Sequence, residues 1–267
     1  MPNTTPTDTL ESPLLIERDG AVVVLRFNRP KALNAVDVPM AQAFLQAARD
    51  LAGDSSVRAV VLCGAGKGFM AGGDLATLSA NPQQAAVELI GPLHEALTVL
   101  AGLDAPLVAQ VHGVAAGAGM SLMLQADFVI AAEGTRFNMA YVNIGASCDV
   151  GASWALPRLV GLRRALEIAM LGETLDSAQA LQFGLLNRVV PAAELDAQAM
   201  ALAQRLAKGP TVALGRLRRL MRSSFDRELP AQLDAEAGAF LQCAQTEDFR
   251  IGVDAFFAKQ PPQFVGR

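Results

Sequence analysis

Residues 57–75 read VRAVVLCGAGKGFMAGGDL, an apolar run that leads directly into a glycine-rich turn. Residues 57–63 predict a short buried strand. Five of the ten residues from 64 to 73 are glycine, which allows the backbone unusual dihedral angles and a close approach to a ligand. Exposed N–H groups in such a turn can bind an anion, although a flexible surface loop has the same composition. No Gly-Lys-Ser/Thr sequence closes the turn, so it is not a P-loop.

Strand and helix patterns alternate on both sides of this turn. An Asp-Gly pair at residues 19–20 predicts a β-hairpin, and Asp37 is placed to cap a helix. Gly91-Pro92 predicts a kink or a break in the long helix that contains it. Such alternation indicates crossover units and a mostly parallel sheet. The predicted strands are 14–17, 21–27, 57–63, 106–112 and 128–131, and the predicted helices are 37–51, 82–103 and 117–125.

The pattern changes after residue 149, because residues 149–258 predict mostly helices with one short strand near 187–190. Pro210 and Pro230 stand where helices should begin. The sequence therefore predicts an α/β core followed by a helical region. The expected segments are a disordered tail over 1–12, the core over 13–200 and the helical C-terminal region over 201–267.

Charge and cysteine content exclude several classes of protein. The 267 residues carry a formal net charge of −4 and a pI near 5.3, which argues against nucleic acid as a partner. The one dense basic cluster shares a helix face, and we expect that face to be solvated or to contact another subunit. Its members are Arg216, Arg218, Arg219 and Arg222.

Three widely spaced cysteines support neither a disulfide framework nor a zinc site, and no metal is expected. A reducing cytoplasm is the simplest location. The N-terminus lacks the features of a signal peptide, and no apolar stretch reaches about 18 residues, so no membrane association is predicted.

Two further segments have residue types that ordinary helices and strands do not require, and each is a candidate binding site. Residues 113–121 place small residues at a predicted helix N-terminus, where free N–H groups favour negative charge. Close helix–sheet packing would explain the same residues. Residues 145–151 place Asp149 in an apolar stretch just before a predicted helix, where aspartate is most often an N-cap.

Several segments in this order resemble motifs of the enoyl-CoA hydratase/isomerase (crotonase) family. Residues 69–75 (FMAGGDL) resemble its F-x-A-G-x-D-[LI] segment, and residues 111–119 (VHGVAAGAG) resemble its [VN]-x-G-x-A-x-G-x-G segment. Residues 28–35 (NRPKALNA) and 156–161 (LPRLVG) are similar to two more of its motifs. The resemblance covers roughly residues 14 to 265.

The resemblance implies an α/β fold, with a crotonase-like ββα spiral core and a helical C-terminal trimerisation region. It implies a homotrimer or hexamer that binds an acyl-CoA thioester, with coenzyme A present only as part of the substrate and no other cofactor. The shared chemistry is stabilisation of a thioester enolate by two backbone N–H groups. By position these are Ala71 and Ala118.

The same resemblance implies residues that contact the substrate. Phe257 and Lys259 match positions that reach CoA from a neighbouring subunit, and residues 75–82 are expected to form a lid. Met70 and Tyr141 are expected to line an apolar acyl pocket. The predicted CoA-binding and substrate-binding residues are Arg29, Lys31, Ala32, Leu33, Met70, Gly73, Asp74, Leu75, Ser121, Tyr141, Phe257 and Lys259.

The acid/base residues decide the reaction. Hydratases of this family use two glutamates, and this chain has Ser121 and Tyr141 at those positions. Neither side chain titrates near neutral pH, so ordinary hydration is not favoured. Residues 148–154 (CDVGASW) resemble the turn in which family isomerases place an acidic residue. The resemblance therefore implies an enoyl-CoA double-bond isomerase with Asp149 as proton shuttle.

Three alternatives stay open. One is an enoyl-CoA hydratase of atypical site. Another is a 4-chlorobenzoyl-CoA dehalogenase-like hydrolase with Asp149 as nucleophile, for which Tyr141 and His94 occupy the matching positions. The third is a non-catalytic CoA-binding member.

Overall fold

A computed structural model of the chain describes residues 12–267, and of Ala80 it describes the backbone only. The predicted tail lies outside the described residues apart from Ser12. The strands are β1 (Leu14–Asp19), β2 (Val22–Phe27), β3 (Ala59–Gly64), β4 (Leu107–Val111), β5 (Val114–Ala116), β6 (Phe128–Ala132), β7 (Arg136–Asn138) and β8 (Arg188–Val190). The helices are α1 (Val38–Gly53), α2 (Leu75–Ala80), α3 (Pro82–Gly102), α4 (Ala118–Met123), α5 (Ala152–Val160), α6 (Leu162–Leu171), α7 (Ser177–Gln182), α8 (Leu195–Ala207), α9 (Thr211–Ser223), α10 (Leu229–Ala244) and α11 (Glu247–Ala258).

Six strands form one sheet in the order β1-β2-β3-β4-β6-β8. β1 and β2 are an antiparallel hairpin whose turn uses Gly20 at φ +59°, as the Asp-Gly pair predicts. Every other neighbouring pair in this sheet is parallel. β5 and β7 form a separate parallel pair. The predicted alternation of strands and helices is therefore confirmed.

Both faces of the large sheet are covered. Val23, Leu25 and Phe27 of β2 point into the main core, which α1 and α3 complete. The alternate residues Val22 and Val24 pack against α8 on the opposite face. A strand that is buried on both faces is apolar at every position, which explains the continuous apolar run of β3.

Helix α3 runs without a break through Pro92, so the predicted break is absent. It is the one helix of the described residues that is long and apolar enough to cross a membrane. One face, which includes Leu93 and Leu100, is buried against the core, while Glu88 and Glu95 are exposed. A core helix meets the same length criterion, and its packing identifies α3 as one.

The boundary predicted at residue 200 falls inside α8. Ala199, Ala203 and Ala207 of this helix are buried against the sheet. The core therefore extends to the end of α8. Beyond it, α10 has no buried residue in this chain, and it exposes Phe240 and Leu241.

Three arginines of the α9 cluster, Arg218, Arg219 and Arg222, bind groups of their own chain instead of forming the solvated face that their spacing predicts. Arg218 is buried, pairs with Asp127 at 3.0 Å, and donates to the carbonyl oxygens of Leu100 and Ala101 at the end of α3. Arg222 pairs with the other oxygen of Asp127 at 2.9 Å. Guanidinium groups thus satisfy the free carbonyls at a helix C-terminus, where the helix dipole favours positive charge.

Candidate active site

A cavity of about 610 Å³ lies where the glycine-rich turn after β3, the N-terminus of α4, helix α3 and residues 140–149 meet. Its lining is mostly apolar. It includes Gly73, Ala118, His94, Tyr141 and Asp149. Residues far apart in sequence therefore face one cavity.

The backbone amide of Ala71 is not available to a ligand. It donates a hydrogen bond to the carbonyl oxygen of Leu33 at 3.0 Å. The prediction that Ala71 supplies an oxyanion donor is therefore wrong.

The amide of Gly73, on the same turn, is available. The carbonyl of Gly72 accepts from Val36 N at 2.7 Å, and Asp74 N donates to Val36 O at 2.8 Å. Successive peptide groups of an extended chain point to opposite sides, so the N–H of Gly73 points away from Val36. No acceptor within the described part of the chain takes this N–H, and Gly73 lines the cavity.

The second available amide is that of Ala118, the first residue of α4. The first N–H groups of a helix have no partner within the helix, and no other acceptor in residues 12–267 takes this one. The preceding Gly117 has φ +50°. Gly119 lies so close to the glycine-rich turn that a Cβ atom there would be 2.2 Å from Met70 O. This contact fixes α4 against the turn that carries Gly73.

The side chain of Met70 is 1% exposed and belongs to the hydrophobic core, so the prediction that it contacts substrate is wrong. The backbone of Met70 is bonded to strand β5: Met70 N donates to Val114 O at 3.1 Å, and Ala116 N donates to Met70 O at 2.9 Å. Leu75, in contrast, is exposed and lines the cavity at the start of α2.

Arg29 and Asp74 hold the turn in place. Arg29 pairs with Asp37 at 3.0 Å and with Asp74 at 2.8 Å, and Asp74 also caps α2 by accepting from Ala76 N. The hydrogen bond from Arg29 lowers the pKa of the Asp74 carboxyl below its usual value. Both side chains are therefore occupied within the protein.

Asn34 is a structural residue that the sequence interpretation did not single out. It is fully buried, and its Nδ2 atom donates to the carbonyls of Ala65 and Gly68 at 2.9 and 2.8 Å. Its Oδ1 accepts from Arg29 N at 2.8 Å. One amide thus joins the NRPKALNA segment to the glycine-rich turn. Lys31, Ala32 and Leu33 lie beside it, outside the cavity lining.

Asp149 is linked by hydrogen bonds to Tyr141 and, through it, to Ser121, the two residues at the positions where hydratases of the family have glutamates. The Tyr141 hydroxyl donates to Asp149 Oδ1, and Ser121 Oγ lies 2.9 Å from the same hydroxyl. Ser121 is fully buried, and its Oγ is also 3.1 Å from Gly117 O. Because the Tyr141 proton is donated to Asp149, the single Ser121 proton serves both Gly117 O and the Tyr141 hydroxyl oxygen. Burial, and then the negative charge of Asp149, raise the pKa of Tyr141. The phenol therefore stays protonated and serves as a hydrogen-bond donor.

Asp149 does not cap the following helix. The N-cap of α5 is Gly151, and no side chain caps that helix. Asp149 is instead the only carboxylate of the described residues that lines the cavity. His94 lines it as well, and its Nε2 accepts from Val150 N at 3.1 Å.

Phe257 and Lys259 lie at the end of α11 and do not line the cavity of their own chain. Phe257 is 78% exposed. A contact with CoA in a neighbouring subunit stays a prediction.

The family model for enoyl-CoA hydratase/isomerase matches residues 17–267. The chain belongs to this family. The 1,2-epoxyphenylacetyl-CoA isomerase of Escherichia coli is 36% identical over 95% of this chain and 98% of its own length. A Rhodobacter capsulatus protein named probable enoyl-CoA hydratase is 35% identical over 94% and 97%.

The crystal structure of an enoyl-CoA hydratase from Mycobacterium smegmatis has a TM-score of 0.89 to this chain at 32% identity, covering 95% of this chain and 99% of the other. The predicted crotonase-like α/β fold is therefore confirmed. Both hydratases and an isomerase occur among these relatives, so the family alone does not choose between the two reactions.

Proposed function

We propose that this member of the family is an enoyl-CoA double-bond isomerase in which Asp149 is the single acid/base. The supporting observation is that one carboxylate shares a mostly apolar cavity with two unpaired backbone amides, those of Gly73 and Ala118. Moving a double bond requires one proton carrier and stabilisation of an enolate, and no activated water.

In the proposed reaction the thioester oxygen accepts hydrogen bonds from the Gly73 and Ala118 amides. Asp149 takes a proton from one carbon, and the electron pair of that C–H bond delocalises into the dienolate. The protonated Asp149 then returns the proton to another carbon, so that the double bond shifts with no net change in atoms. A donor of this kind contributes roughly 10²–10³ in rate, and an apolar cavity strengthens it by excluding water.

Hydration is less well supported by the same geometry. It needs one group to activate water and a second to deliver the proton. Ser121 is buried, and its Oγ is occupied by Gly117 O and Tyr141. Tyr141 stays protonated because burial and the neighbouring carboxylate raise its pKa. Asp149 alone would have to perform both steps.

A second substrate class is a ring-bearing acyl group. The relative from Escherichia coli that is 36% identical acts, by its name, on 1,2-epoxyphenylacetyl-CoA. A cavity of about 610 Å³ with an apolar lining suits a ring as well as a linear chain. We also propose a homotrimer or hexamer, because α10 and α11 leave Phe240, Leu241 and Phe256 exposed.

The test is conversion of a 3-enoyl-CoA to the conjugated 2-enoyl-CoA, followed by ultraviolet absorbance, with wild type and Asp149→Asn compared. We expect conjugation by wild type and a loss of about 10²–10⁴ in kcat for the variant, because asparagine cannot carry the proton. Asp50→Asn, the same change on the exposed face of α1, is the matched control. Equal rates for Asp149→Asn and wild type would remove Asp149 from the mechanism, and loss of 2-enoyl-CoA absorbance would indicate hydration.

A further inference from the structure

The residue after Asp149 has an unusual backbone conformation. Val150 has φ +52°, which is rare for a β-branched side chain, and Gly151 follows with φ +74°. Val150 is 1% exposed, so this conformation lies in the protein interior and not in an exposed loop. Such conformations persist where the surrounding structure holds them, and they concentrate at functional sites.

Two side chains from different elements hold the Val150 backbone. Val150 N donates to His94 Nε2 at 3.1 Å, and Val150 O accepts from Gln125 Nε2 at 3.3 Å. His94 belongs to α3, and Gln125 follows α4. These bonds connect the turn that carries Asp149 to two helices of the core.

We infer that His94 is a positioning residue, whose neutral imidazole accepts the Val150 N–H and thereby fixes the direction from which Asp149 enters the cavity. The consequence for turnover rests on the proposed isomerase function, whereas the contact itself does not. Because Nε2 is an acceptor here, the single proton of the neutral ring is on Nδ1. An imidazolium has no acceptor, so protonation of His94 removes this hydrogen bond.

The experiment compares His94→Ala with His94→Gln. Glutamine places an amide oxygen near the position of Nε2, and this oxygen accepts a hydrogen bond but does not titrate. Thr98→Ala is the matched control, because Thr98 Oγ1 donates to the carbonyl of His94 without touching the ring. The readouts are deuterium exchange of the Val150 amide, corrected for its intrinsic rate, and the pH profiles of kcat and KM with 3-enoyl-CoA.

We expect His94→Ala to raise exchange at Val150 and to lower kcat about tenfold with little change in KM, since a lost hydrogen bond misplaces Asp149 without removing it. His94→Gln should recover most of both effects, because the glutamine amide oxygen can accept the Val150 N–H in place of Nε2. Thr98→Ala should leave exchange at Val150 at the wild-type level.

Two results would overturn the inference. One is unchanged Val150 exchange in His94→Ala. The other is a His94→Gln variant as slow as His94→Ala with the Val150 amide still protected, which would mean that the imidazole itself carries a proton to substrate. If wild type converts no 3-enoyl-CoA, the proposed function fails, and the exchange measurement still decides whether His94 holds the turn.

Discussion

Two regions of this protein hold buried or partly buried charged groups, and they differ in whether those groups have all their hydrogen-bond partners. At the junction of α9 with α3, both oxygens of Asp127 are bonded to arginines, and one of them also accepts from Leu107 N. At the turn before α5, Asp149 uses one oxygen for Tyr141, and its other oxygen has no partner within residues 12–267. The Asp127 network, called the closed network below, holds α9 against the end of α3. The Asp149 turn, called the open region below, leaves one carboxylate oxygen free to act on a substrate.

The largest effect should come from breaking the closed network. We expect Arg218→Ala to lower the free energy of unfolding by about 3–5 kcal/mol, because it leaves Asp127 and the last carbonyls of α3 short of a buried donor. Denaturant unfolding measures this change. Arg49→Ala is the control, since Arg49 forms an exposed pair with Glu95 and should cost at most about 1 kcal/mol. Equal losses for the two variants would contradict the distinction between the regions.

A smaller loss of stability should follow when the support of the glycine-rich turn is removed. Asn34→Ala deprives two carbonyls of the glycine-rich turn of their donor, and we expect a loss of about 1–3 kcal/mol in stability. Because that turn carries Gly73, kcat/KM should fall as well. Asn28→Ala, which removes a single exposed bond to Ser12 O, is the matched control. A stable but slow Asn34→Ala would show that positioning, more than folding, depends on this residue.

The smallest effect on stability should come from the open region itself. Tyr141→Phe keeps the ring and removes the donor to Asp149. We expect kcat to fall about tenfold, with unfolding changed little. The alkaline side of the pH–rate profile should match wild type, since the raised pKa of Tyr141 keeps the phenol neutral there.

Ser121→Ala separates the two members of this hydrogen-bonded chain. Ser121 reaches Asp149 only through Tyr141, so its loss in rate should be smaller than that of Tyr141→Phe. The reverse order would assign the serine a direct contact with substrate.

Local sequence patterns were sufficient for much of the fold. The Asp-Gly turn at residues 19–20, strand β3 and the helix starts at Pro210 and Pro230 are all observed. Each depends on residues close together in the chain, namely on apolar periodicity, on a glycine at positive φ, or on proline at a helix start. The ordered motifs likewise identified the family and pointed to the cavity, including Asp149 and Ala118.

Tertiary structure decided the features that depend on distant neighbours. The FMAGGDL segment offers several backbone amides. The hydrogen bond from Ala71 N to Leu33 O removes one of them, whereas Gly73 N has no acceptor within the described residues. The arginines of α9 have the spacing of a solvated face, yet the end of α3 and Asp127 bury Arg218. Sequence determined which groups are present in the site. Which of them are free to bind substrate depends on hydrogen bonds between segments that meet only in the folded chain.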